Sequence, residues 1–153
     1  MGVIWEAIIN FVINILSAIL PKLFSKRELS EFSKKYEKLR YDTALALTMY
    51  ARNYHNPVDL AKTRDNTLPQ DYINASNELR KIASEAKALA AIMNEKRPPI
   101  KKSDLEDVSS YLIGLSNSMT TPYNCSTLSE VMRDEKNAVR EWEARIKKLL
   151  NID

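Results

Sequence analysis

The sequence predicts an all-α protein in which an N-terminal hydrophobic, transmembrane helix precedes a four-helix, bundle-like domain. Three observations carry that reading. Fourteen of the eighteen residues from Val3 to Leu20 are apolar and none is basic. Behind them, apolar residues recur at alternating threes and fours in four stretches separated by proline or turn residues. No stretch alternates with period two, and Gly2 and Gly114 are the only glycines, which disfavours tight hairpins. The expected division is a membrane anchor over residues 1–24 and a helical domain over 25–153, whose 129 residues suffice to bury a core.

As a helix, the stretch VIWEAIINFVINILSAIL would be about 27 Å long, close to the roughly 30 Å hydrocarbon layer of a bilayer. Trp5 stands where an interfacial aromatic would, and Leu23 and Phe24 extend the apolar run beyond Pro21 and Lys22. The polar residues Glu6, Asn10, Asn14 and Ser17 follow spacings of four, four and three, and so share one narrow helix face. In lipid, an asparagine amide needs a partner on another helix or in a water-filled lumen. The stripe therefore predicts a homo-oligomer, with the polar face either packing helices or lining a pore.

Other placements fit less of the pattern. A helix lying in the interface carries a broad, lysine-rich polar face, whereas this face is narrow. A helix buried inside a soluble oligomer is compatible with the length, which is near the lower limit for a span. A cleaved signal peptide has its basic residues ahead of the apolar region, and here they follow it. Glu6 stands where an N-myristoylation signal wants Ser or Thr.

Lys22, Lys26, Arg27, Lys34 and Lys35 follow the apolar stretch, and no basic side chain precedes it. The positive-inside rule then gives a single-pass membrane protein with its helical domain on the cytoplasmic side. The lone Cys125 cannot form an internal disulfide and fits a reducing compartment. These basic residues can reach anionic headgroups of membrane lipid. Interleaved with Glu28, Glu31 and Glu37, they equally make an ordinary solvated helix face.

The first helix of the domain is expected from about Arg27 to Tyr54, with Leu29, Phe32, Tyr36, Leu39, Thr43, Ala46 and Tyr50 as its stripe. Ser25 and Glu28 read as a capping box, and His55-Asn56-Pro57 as a stop. The second runs from about Gln70, behind Pro69, to Lys96, with a stripe of Ala75, Leu79, Ile82, Ala86, Leu89 and Met93. The third starts at Ser103, capped with Glu106, and buries Leu105, Val108, Leu112, Leu115 and Met119. The fourth starts near Thr127, paired with Glu130, and buries Leu128, Val131, Ala138, Trp142, Ile146 and Leu149. Heptad-like stripes on helices of this length make a bundle.

Little in the sequence points to catalysis. One histidine and one cysteine exclude a His-rich metal site and a zinc cluster, and no nucleophile elbow or glycine-rich phosphate loop occurs. No enzyme activity and no cofactor are expected. A net charge of +3 and tyrosines placed in stripes give no reason to expect nucleic acid. Two patches are less ordinary: Arg52, Asn53 and His55 at a helix end, and Ser116 and Asn117 beside Gly114. With Asn77 and Arg80 they make a candidate pocket for a small anionic or polar ligand. The competing reading is a close helix crossing at Gly114, with Ser116 and Asn117 as local caps, and it is the favoured one.

The expected function is non-enzymatic: a membrane-anchored bundle that self-associates through its N-terminal helix, one version being a small membrane-disrupting or pore-forming effector. The alternative is a membrane-tethered binding adaptor or small-ligand sensor, in which the helix only localises the bundle to its protein or ligand partner.

Overall fold

The computed structural model describes the backbone of residues 2–56, 58, 67–93, 100–120 and 128–152, and the side chains of 29–56, 58, 67–93, 100–120 and 136–152. Among the described residues there are four helices: α1 (Gly2–His55), α2 (Gln70–Ala91), α3 (Lys102–Thr120) and α4 (Leu128–Leu150). There is no strand among the described residues, so the chain is all-α as expected.

Helix α1 corrects the expected start. The apolar N-terminal stretch and the first bundle helix form one continuous helix of 54 residues. Pro21 lies inside it: proline's fixed φ near −65° is itself helical, and here the lost N–H bond and the crowding of its ring against the carbonyl four residues back do not end the helix. Ser25 accordingly lies inside α1 and not at a helix start. Among the described residues no helix is long and apolar enough to cross a membrane. The side chains of Val3–Leu20, on which that expectation rests, lie outside the described ones.

The chain forms two compact units, residues 1–36 and 37–153. In the first, the rings of Phe32 and Tyr36 stack at 6.3 Å with 7° between their planes. Leu29 is exposed rather than part of a buried stripe.

In the second unit every neighbouring pair of helices is antiparallel. Lys38 of α1 reaches Glu85 of α2, while Asn53 reaches Asp71. Ser76 of α2 meets Ser116 of α3. Gly114 and Tyr111 of α3 lie against Trp142 and Arg145 of α4. His55 meets Glu143, and Arg40 meets the end of α4, which closes the ring back onto α1. This is the up-down arrangement that short connections favour.

The core follows the predicted stripes closely on two helices. Ala75, Leu79, Ile82, Ala86, Leu89 and Met93 are all buried, as are Leu105, Val108, Leu112, Leu115 and Met119. On α1 the core takes Leu39, Thr43, Ala46, Leu47 and Tyr54, with Thr43 donating its hydroxyl to the Leu39 carbonyl at 2.6 Å. On α4 the stripe turns slightly: Val139, Ile146 and Leu150 are buried, while Ala138 and Leu149 are half-buried. Leu128 and Val131 lie outside the described side chains.

Helix ends differ from expectation in identifiable ways. The Pro69 carbonyl accepts from the Tyr72 and Ile73 amides, so α2 starts at Gln70 as predicted. It ends at Ala91, short of Lys96. Helix α3 is capped two residues early: Asp104 accepts from the Lys101 amide at 3.2 Å, so the cap pairs 101 with 104 rather than Ser103 with Glu106. Thr127 lies outside the described residues. Helix α4 closes with Asn151 at φ 52° and the Ile152 amide on the Lys147 carbonyl at 2.9 Å, a Schellman ending.

Candidate functional site

Of the residues singled out in the sequence, Glu6, Asn10, Asn14 and Ser17, with Lys22, Lys26 and Arg27, have side chains outside the described ones. Lys34 and Lys35 are described and exposed. The expected ligand patch divides into two clusters, one between α1 and α4 and one between α2 and α3.

The first cluster is centred on Glu143. His55, the last residue of α1, presents Nε2 to Glu143 Oε2 at 2.8 Å. Lys147, one turn further along α4, donates to Glu143 Oε1 at 2.7 Å. Both carboxylate oxygens are thus engaged, from two helices. Burial pushes the Glu143 carboxyl up, but Lys147 and then His55 outweigh it and hold the group below the usual carboxylate range.

Tyr54 packs its ring 4.7 Å from that of His55 and is fully buried. Its hydroxyl donates to the Leu47 carbonyl at 2.8 Å. Burial first, and the Glu143 charge second, push this phenol far above its ordinary range. Asn53 reaches Asp71 at 3.3 Å, and Arg52 is exposed beside it.

The second cluster lies where α2 crosses α3. Ser116 is fully buried, and its Oγ lies 2.7 Å from that of Ser76. Arg80 donates through Nε to Ser116 Oγ at 2.9 Å and through Nη2 to Asn117 Oδ1 at 2.8 Å. Asn77 is exposed on α2 and joins neither set of bonds. The guanidinium fork thus spans two consecutive residues of the facing helix, a geometry that fixes the register between them.

Next to this cluster, Gly114 faces the Trp142 indole so closely that a methyl group would lie 2.9 Å from the ring. The glycine therefore serves a close crossing between α3 and α4, as expected, but Ser116 and Asn117 are not local caps: their side chains bind Ser76 and Arg80 of α2. Sequence reasoning missed three partners: Ser76, Glu143 and Lys147. The spacing of Glu143 and Lys147 marks a same-face ion pair, but nothing local ties that pair to His55, 88 residues earlier.

Chemically, both clusters join helices: one clamps α1 to α4 through a carboxylate, the other locks α2 to α3 through a guanidinium. Among the described residues no group of His, Cys, Asp and Glu is placed to hold a metal ion. Comparison of the chain with protein families, curated proteins and solved structures gives no match.

Proposed function

We propose that this protein is a non-enzymatic, membrane-anchored helical bundle that self-associates through its N-terminal helix. The observation that supports this most is the continuity of α1 from Gly2 to His55. The apolar stretch with its Asn10 and Asn14 stripe and the bundle's first helix are one element. Any event that shifts residues 37–55 within the bundle, where Arg40 and His55 bind α4, bears on that same helix. The bundle then reports a binding or assembly event to the polar stripe.

Membrane anchoring is tested with the full chain and with a Val12→Arg/Ile15→Arg variant. Two charges at the centre of the apolar stretch cost roughly 5–7 kcal/mol of insertion. The wild-type chain should stay in the membrane pellet after an alkaline wash, and the variant should be released. Release of both would show that the helix is no anchor.

A further inference from the structure

We infer that the α1–α2 face of the bundle is a second self-association surface, on which two copies of this chain meet about a two-fold axis near Leu45. This goes beyond association through the apolar N-terminal stretch of α1, because every residue involved lies in the 37–153 unit.

The surface starts from a ridge. Tyr41, Leu45 and Met49 are 68%, 46% and 59% exposed, although their residue types ordinarily contribute to cores. A spacing of four puts them on one i±4 row, the kind of ridge that packs into a groove on another helix. The groove lies alongside. Between α1 and α2 is a cleft of about 320 Å³, floored by the buried Ala46 and Ile82 and edged by Leu45 and Met49. The short side chain of Ala46 gives it its depth.

A ridge beside a matching groove is self-complementary under a two-fold axis: each copy places its ridge in the other's cleft. The charges agree. The cleft is rimmed by Lys38 and Lys81 together with Asp42, Glu78 and Glu85. A polyanion or an anionic lipid surface would want one sign, whereas a rim of both signs suits a second copy of itself. The pairs now made within the chain, Lys38 with Asp42 and Glu85 and Lys81 with Glu78, are exposed. Exposed pairs hold little energy and can be exchanged across an interface.

The test uses the full chain carrying Cys125→Ser, with a single cysteine introduced by Leu45→Cys or, as control, by Arg140→Cys on the exposed side of α4. Under mild oxidation in detergent, Leu45→Cys should give a disulfide-linked dimer at least tenfold faster than Arg140→Cys. Adding Tyr41→Asp and Met49→Asp should abolish that dimer while the helical circular dichroism is unchanged. Equal rates at positions 45 and 140 would overturn the proposal, since N-terminal association alone would produce them. So would loss of vesicle binding in the Asp variant without any cross-link at position 45, because lipid would then cover the face. The cross-link is read in the Val12→Arg/Ile15→Arg background as well, so failure of anchoring is distinguishable from failure of this surface.

Discussion

The Trp142 indole lies over the backbone of Gly114: a β-carbon there would stand 2.9 Å from Cε3, 3.0 Å from Cζ3 and 3.1 Å from Cδ2 of the ring. Glycine in mid-helix costs about 1 kcal/mol relative to alanine. The crossing of α3 and α4 justifies that cost, since overpacking such a contact costs typically 1–3 kcal/mol. Gly114→Ala should therefore lower the urea midpoint despite its better helix propensity. In a Trp142→Leu background the same change should be neutral or stabilising. A destabilisation of equal size in both backgrounds would show that the indole is not what the methyl group meets.

Glu143 gives the bundle an acid-sensitive contact. Its carboxyl is held below the ordinary value of 4.5, chiefly through Lys147 and His55 acting against burial. A depressed carboxylate contributes stability that is present above its unfolded pKa and lost as pH falls through the folded one. The wild-type protein should lose stability below about pH 4.5, and Glu143→Gln should flatten that part of the profile. At pH 7 the variant should be less stable by about 1–2 kcal/mol, the scale of a lost charge-assisted hydrogen bond. Thermal melts between pH 3 and 7 decide the matter.

How much of this was legible beforehand differs from helix to helix. The stripes of α2 and α3 coincide with buried residues because each presents one regular apolar face. On α4 the pairs Ala138/Val139 and Leu149/Leu150 straddle the edge of the stripe. Periodicity alone does not say which member of each pair turns inward. Gly114 was readable as a crossing because a mid-helix glycine asks for a reason, though its indole partner was not. Ser76, and the tie of Glu143 to His55, left no local mark: the partners lie 40 and 88 residues away. Pairing over such distances is written in the packing, not in the spacing.

Tyr54 should govern the alkaline limb. Burial, and then Glu143, raise its phenol above the ordinary 10.0. A raised group contributes stability that is complete below the unfolded pKa and lost as pH rises through the folded one. Tyr54→Phe should lower stability at pH 7 by about 1 kcal/mol through the bond to Leu47. The same change should make the decline above pH 10 shallower. Parallel declines for both proteins would remove Tyr54 as the cause.

Ser116 should be more sensitive than its size suggests. Ser116→Ala leaves the Ser76 hydroxyl and Arg80 Nε without their shared oxygen. An unmet buried polar group costs about 1–3 kcal/mol. Ser76→Ala combined with Ser116→Ala should be less destabilising than the two single changes added together, a coupling measurable in a double-mutant cycle.

For the proposed N-terminal stripe, Asn10→Leu with Asn14→Leu should leave the chain in the alkaline-washed membrane pellet. If the stripe lines a lumen, leakage of dye from vesicles should disappear in this variant. Leakage equal to wild type would exclude the lumen and leave helix packing as the stripe's role.

Arg40 donates from α1 to the carbonyls of Leu150 and Asn151, both at 2.7 Å and across 110 and 111 residues of chain. The three hairpins, α1–α2 included, close over much shorter stretches, as in the contacts Asn53–Asp71 and Ser76–Ser116 across 18 and 40 residues, and closing a longer loop costs more chain entropy. Loop-closure entropy therefore places the α1–α4 contact last, its guanidinium sealing the carbonyls that the Schellman ending leaves open. Until that contact forms, the first helix is held to the others through α2 alone.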